Sequence, residues 1–279
     1  MADTLAGLSQ AQAQAAWRKS LKRVSPEMFV PARDLYAGEA FRRGLAAADK
    51  IGCSFFVVSA GLGLVEEATP VPAYDLTVSP MAAESLKDHL RGSFVPTAWW
   101  EAIQQGPFAS AVADLGRGKG RVVVALSRPY ALLIGESLAR LRPSVRQRVR
   151  LLGGGLESSL PTVLHPQIVR YDSRLDGFHP GTKLNFASRA LAHFTRLVGN
   201  KPITSVLDDQ STVNRSLGKI EPPTVTSRQR LDDDALYGHI RSMIREGLSA
   251  QRALRVLRSD RQVACEERRF RRLYEEVAG

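Results

Sequence analysis

Apolar positions along the chain follow two patterns. Phe55 to Val58, Arg121 to Leu126 and Val149 to Leu152 are short runs rich in β-branched or aromatic residues, which predicts strands buried on both faces. Elsewhere apolar residues recur at helical spacing: Leu5, Leu8, Ala15, Trp17 and Leu21 within Ala2 to Lys22, and Leu35, Phe41 and Leu45 in a segment running from Pro31 to Lys50. Two short helices are expected over Met81 to Leu90 and Thr97 to Gln104, the second capped by Thr97 and burying Trp99 and Ile103. Pro129 starts a helix over Tyr130 to Leu141, and Asn185 caps one carrying Leu191, Phe194 and Val198.

Strands alternating with helices over short connections predict an α/β fold: a three-layer, mostly parallel sheet with helices on both faces. Asn200 to Asp234 has Pro202, Pro222 and Pro223, many hydroxyl residues and no apolar period, and reads as a linker. Beyond it, Ile240, Ile244 and Leu248, then Ala253, Leu254 and Leu257 after Ser249, then Phe270, Leu273 and Val277 in a helix from about Val263, predict a small all-α unit of helix-turn-helix type. The expected organisation is an α/β domain over 1–199, a linker over 200–234 and a trihelical domain over 235–279.

The first strand and its sequel, SFFVVSAGLGLVEEATPVPAYDLTVSP from Ser54 to Pro80, concentrate the candidate chemistry. Small residues at the carboxyl end of a buried strand, followed by an acid in a proline-stiffened loop, mark where open α/β sheets place ligands. Asp75, between Tyr74 and Leu76, is the candidate catalytic acid or base, able to activate water or steady an oxocarbenium-like sugar; the plainer role is accepting backbone N–H bonds in its own turn. Gly61 and Gly63 lack the third glycine and the lysine of a phosphate loop, which leaves close approach to a base or sugar, or a simple tight turn. Ser59 and Ser127 both end apolar strands and are candidate hydrogen-bond donors to a shared crevice. Tyr36 either stacks on a base or packs on the sheet.

The composition is that of an ordinary globular protein, 44% hydrophobic and 24% charged, but the net charge is +11, with a pI near 10.1. Such a surplus favours a polyanionic partner, nucleic acid ahead of a membrane surface, over a merely arginine-rich chain. From Arg117 to Arg150 nine basic residues face one acid, and from Arg241 onward ten arginines face six acids. Arginine suits bidentate phosphate contact, so Arg33, Arg117, Lys119, Arg128, Lys183, Arg252 and Arg255 are the candidate DNA contacts. Cys53 and Cys265 form no metal or disulfide pattern, no apolar run reaches the ~20 residues of a membrane helix, and a cytoplasmic location is expected. His165, Asp172 and His179 match no compact metal-site spacing, and no metal is expected.

The segments PARDLYAGEAFRRG (Pro31 to Gly44) and VVSAGLGLVEEATPVPAYDLTVSP (Val57 to Pro80) resemble a bacterial domain family related to the peroxide-stress protein YaaA and to the core of archaeosine synthase. The likeness rests on Pro31, Ala32, Leu35, Tyr36 and Phe41, then on Ser59, Ala60, Gly63, Leu64, Tyr74 and Asp75. The usual first loop of that family, Cys-Ser-Lys-like, is replaced here by WRKSLKRVSPEMFV, with no cysteine. The resemblance implies a fold like that of uracil-DNA glycosylases and action on or beside nucleobases. Its sharpest implication is an anti-phage DNA glycosylase removing a modified base, such as glucosylated hydroxymethylcytosine. Asp75 would then be catalytic, with Tyr36, Ser59, Gly61, Gly63, Tyr74 and Ser127 lining the base site and no cofactor required. A non-catalytic DNA-binding stress or regulatory protein and an RNA base-modifying enzyme are the alternatives.

Overall fold

The first strand does not lead into a crossover helix; it doubles back. Phe56–Ser59 (β1) pairs antiparallel with Gly63–Glu66 (β2), Ser59 opposite Gly63, around the three-residue turn Ala60, Gly61 and Leu62. Leu64 and Val65 are buried, so a segment that reads as a small-residue ligand loop is a second strand of the core.

The computed structural model describes residues 2–79, 82, 85–221 and 228–279. It divides into two units, Met1–Pro222 and Pro223–Gly279. Among the described residues the larger unit has the long helices Gln10–Leu21 (α1), Glu39–Ile51 (α2), Pro96–Ile103 (α3), Arg128–Ala139 (α4), Phe186–Val198 (α5) and Val206–Leu217 (α6). Its parallel pairing lies between Val122–Ala125 (β3) and Val149–Leu152 (β4).

Period-two geometry gives this pair a core on each face. Val122, Val124, Val149 and Leu151 join the main core, with Trp17 of α1, Trp99 and Trp100 of α3, and Leu133 and Ile134 of α4. Val123, Ala125 and Leu152 join a second core with Ala190, Phe194 and Val198 of α5 and Val213 and Leu217 of α6. The fold is thus mixed α/β. The pairing among the described residues is in two-stranded units, with isolated parallel bridges from Thr77 to Ser85 and from Leu151 to Ile168, rather than in one continuous parallel sheet.

Several boundaries differ from expectation for local reasons. Gly38 interrupts the helix expected from Pro31, leaving the single turn Ala32–Leu35 before α2. Helix α3 starts on Pro96 with Val95 as its N-cap, not Thr97, as suits a proline in the first helical turn. Of the helix expected over Met81 to Leu90, Met81, Ala83 and Glu84 lie outside the described residues, and the helical part among the described ones is a single turn, Leu86–His89.

The largest correction concerns the expected linker. Ser205 caps α6, accepting the Asp208 N–H while the Asp208 carboxylate takes the Ser205 N–H, a capping box with Asp in place of Glu. Asp209, Val213 and Leu217 of α6 are buried. Residues 205–217 therefore belong to the larger unit's core; Pro222 and Pro223 lie outside the described residues.

In the smaller unit, Asp233–Arg245 (α7), Ala250–Ser259 (α8) and Glu267–Ala278 (α9) bury Leu236, Ile240, Met243, Leu257, Phe270 and Leu273 together. Gly247, at φ +74°, makes the turn between α7 and α8, a conformation glycine adopts without steric cost. The third helix starts at Glu267 rather than near Val263, because Val263–Ala264 pairs in parallel with Gln229–Arg230. Among the described residues no helix is long and apolar enough to cross a membrane.

Candidate functional site

Two distant segments meet because a short antiparallel pair ties them. Val30 lies opposite Val71 and Pro31 opposite Pro70, and the Ala32 and Arg33 N–H groups donate to Thr69 O and Glu67 O, both at 2.9 Å. Tyr36 follows one arm and Tyr74 the other, and their phenol oxygens end 2.8 Å apart. Ser59 Oγ lies 2.5 Å from Tyr74 Oη.

The direction of this chain of hydroxyls follows from counting donors and acceptors. Ser59 Oγ already accepts the Gly61 N–H (3.2 Å) and the Leu62 N–H (2.9 Å). A hydroxyl has two lone pairs and one proton, so Ser59 donates to Tyr74; the arrangement that then gives the Tyr74 proton an acceptor is donation to Tyr36, with the Tyr36 proton pointing onward. Burial raises the pKa of Tyr36, Tyr74 and Tyr130, so all three remain protonated donors through the neutral range. Tyr130, near the start of α4, meets the same loop through Thr77 Oγ1, at 3.3 Å.

The turn beneath the relay is clamped from both sides. Trp99 Nε1–H donates to Ala60 O at 2.8 Å and Trp17 Nε1–H to Gly61 O at 2.7 Å. A Cβ on Gly61 would lie 2.8 Å from Trp17 Cζ2 and 2.9 Å from Tyr74 Cε2. On Gly63, at φ +83°, it would lie 2.6 Å from Gln104 Oε1. The space beside both glycines is thus filled by the protein itself, not left for a base or sugar. Ser59 is 2% exposed and supports Tyr74 from behind instead of lining a crevice. Ser127 is an exposed N-cap of α4 without a side-chain capping bond, so the two serines are not equivalent walls of one site. Tyr36 and Tyr74 are half-buried and Asp75 is exposed. Tyr36 and Tyr74 are thus brought together within reach of solvent, with Asp75 next to Tyr74 in the chain.

Four of the nine basic residues from Arg117 to Arg150, namely Arg121, Arg146, Arg148 and Arg150, are absorbed by the fold, while Arg117, Lys119, Arg128, Arg140 and Arg142 are exposed. Arg121 and Arg150 converge on Asp209, at 3.0 and 2.6 Å, with all three side chains buried. Arg121 also donates to the Val198, Lys201 and Pro202 carbonyls. Arg148 holds the carbonyls of Gly116, Gly118 and Gly120, and Arg146 those of Ala139 and Leu141. Arg117 pairs with Asp114 and Arg140 with Glu101. Arg33 is shared between Asp49 and Glu67, both at 3.4 Å. Of the other candidate contacts, Lys119, Lys183, Arg252 and Arg255 are exposed, and Arg128, also exposed, reaches Ser159 Oγ at 3.4 Å.

His165 binds Leu160 O and Asp172 pairs with Arg174. Among the described residues no three His, Cys, Asp or Glu side chains are placed to hold a metal. Among the buried polar residues that the sequence did not single out are Asp209 and His193. His193 lies between Tyr171 Oη (2.9 Å) and Ser216 Oγ (3.0 Å).

A model of a family of unknown function, DUF6884, matches residues 23–102. The match spans the Tyr36 arm, the clamped turn, Tyr74, Asp75 and α3, so the relay falls inside it. No curated protein and no solved structure matches the chain.

Proposed function

We propose that the larger unit is a DNA glycosylase that hydrolyses the N-glycosidic bond of a modified base, glucosylated hydroxymethylcytosine being the candidate, and leaves an abasic site. The observation that carries the reading is the relay Ser59–Tyr74–Tyr36, with the exposed Asp75 next to Tyr74 in the chain. Aromatic rings and neutral hydroxyl donors next to one acid suit a heteroaromatic base better than a phosphate, which calls for cations. The sequence likeness to nucleobase-acting proteins points the same way.

On this reading the base is flipped from the duplex and Tyr36 Oη–H donates to an acceptor on its edge. The bond between C1′ and the base nitrogen breaks, its electron pair leaving on the base, which solvent protonates. A water oxygen bonds to C1′ and its proton passes to the Asp75 carboxylate. We also read the β3–β4 pair, with a core on each face, as the middle of a three-layer, mostly parallel arrangement. The charged helices of the smaller unit, with Arg252 and Arg255 exposed, would contact DNA.

The test is incubation of the protein with duplex DNA carrying modified cytosines and with plain DNA, followed by alkali to reveal abasic sites. Cleavage confined to modified DNA is expected, and Asp75→Asn should slow a single turnover by ~10²–10⁴-fold while DNA affinity stays within a few-fold. Binding without any abasic sites would replace the glycosylase with a non-catalytic DNA-binding protein.

A further inference from the structure

The smaller unit contains a cavity of about 510 Å³ lined by Arg228, Arg230, Arg258, Arg269, Cys265 and Glu266, within the size range of ligand sites. Four guanidinium groups thus share one concavity with a single carboxylate.

These arginines are not simply neutralised by the fold. Arg258 donates through Nε and Nη2 to Cys265 O, at 3.1 and 2.8 Å. Arg269 donates through Nε and Nη2 to Asp233 Oδ1, at 2.8 and 2.5 Å. Arg228 uses Nε on Arg258 O, at 2.8 Å. In each case the anchor takes one edge of the guanidinium and leaves Nη1 with its protons, and Nη2 as well on Arg228. Arg230 has no side-chain partner among the described residues. It is two positions from Arg228, and the pairing of Gln229–Arg230 with Val263–Ala264 sets both on one face of the strand. A guanidinium held by one edge has little rotamer freedom left to lose when its other edge binds an anion. Burial raises the pKa of the Cys265 thiol, so no thiolate competes for the arginines.

We propose that this cavity is a phosphate-binding site that receives the backbone of a nucleic acid. The assignment differs from the exposed face of α8, where Arg252 and Arg255 stand, and it does not rest on the hydrolysis proposed above, since it needs only a polyanion. Arginine in a fork geometry matches phosphate oxygens bidentately, and several such contacts give affinity without sequence choice.

The experiment measures binding of the full chain to an unmodified, fluorescein-labelled DNA duplex by anisotropy over a series of salt concentrations. Arg228→Gln and Arg230→Gln are chosen because neither removes an ion pair. Each should weaken binding alike for unrelated sequences and lower the slope of log affinity against log salt by about 1; the double variant should lose ~10-fold or more near 0.15 M salt. Circular dichroism and the melting temperature report whether the variants keep their fold. Unchanged affinity and slope in a folded double variant would overturn the proposal. So would a double variant that binds DNA normally but no longer gains thermal stability from millimolar inorganic phosphate, because the cavity would then take the free ion. Cleavage of modified DNA plays no part in these readings, so failure here and failure of the glycosylase reading are separable.

Discussion

Tyr36 Oη and Tyr74 Oη lie 2.8 Å apart, although 38 residues separate them in the chain. The pairing of Val30–Pro31 with Pro70–Val71 brings them together, and Ser59, with its acceptor sites filled, donates to Tyr74, whose own proton then finds its acceptor in Tyr36. The two tyrosines should therefore respond differently to loss of the hydroxyl. Tyr74→Phe strands the buried Ser59 proton and should cost ~1–3 kcal/mol. Tyr36→Phe takes away the acceptor of the Tyr74 proton, but Tyr74 is only half-buried and water can take that place, so it should cost less, about 1 kcal/mol, while weakening any ligand that the relay addresses. Urea denaturation followed by tryptophan fluorescence reads this directly, since Trp17, Trp99 and Trp100 are the chain's three tryptophans and all lie in the larger unit. Equal losses in the two variants would contradict a directed relay.

Gly61 offers a second handle on the same turn. A methyl group there meets Trp17 and Tyr74 at under 3 Å, and both rings are held in place, one by its bond to Gly61 O and the other by Ser59. Gly61→Ala should cost ~1–3 kcal/mol through overpacking and should push the Tyr74 ring off Ser59. The same denaturation curves give the stability. A variant as stable as the wild type would mean that the turn is looser than its two indole clamps suggest.

Much of this arrangement was legible in the sequence, and the remainder was hidden for identifiable causes. The apolar runs at Phe55 and Val122 placed β1 and β3, and Tyr36, Tyr74 and Asp75 stood out in proline-bracketed segments. The return strand β2 was hidden because Gly63 and Leu64 read as a turn continued, and nothing local announces that Leu64 N–H would find Gln104 Oε1 at 2.9 Å. Helix α6 was hidden because its buried stripe includes Asp209, which an apolar count rejects; the Ser205-x-x-Asp208 cap was the available signal. The structural share of the arginine cluster was hidden for a similar reason. The acceptors of Arg121, Arg146, Arg148 and Arg150 are backbone carbonyls, the Thr204 hydroxyl and one carboxylate, 88 residues from Arg121, and none of these appears in a local charge count.

That carboxylate supports a third prediction. Asp209 neutralises two buried guanidinium groups, Arg121 and Arg150, and removing one partner of a buried ionic cluster typically costs ~3–5 kcal/mol. Asp209→Asn should destabilise the larger unit by about that amount. Arg140→Gln, which breaks the exposed pair with Glu101, should change stability by less than about 1 kcal/mol. Chemical denaturation of both variants makes the comparison, and similar values for the two would show that the cluster is not a buried unit.

His193 ties stability to acidity. Burial, and behind it the charge of Arg196, pushes its pKa down to about 4 from an ordinary 6.5. Between these values the unfolded chain carries the proton and the folded chain does not, so protonation favours unfolding. The stabilisation is complete above about pH 6.5, declines by about 1.4 kcal/mol per pH unit as the pH falls, and is spent near pH 4 after a loss of ~3 kcal/mol. Replacing the ring should remove this slope: His193→Gln should be less stable than wild type at about pH 7.5, having lost the fit between Tyr171 and Ser216, yet should lose less stability between about pH 6.5 and 4. Because the other four histidines are common to both proteins, the difference between the two pH profiles isolates His193. Parallel profiles for wild type and variant would show that the ring is not held neutral.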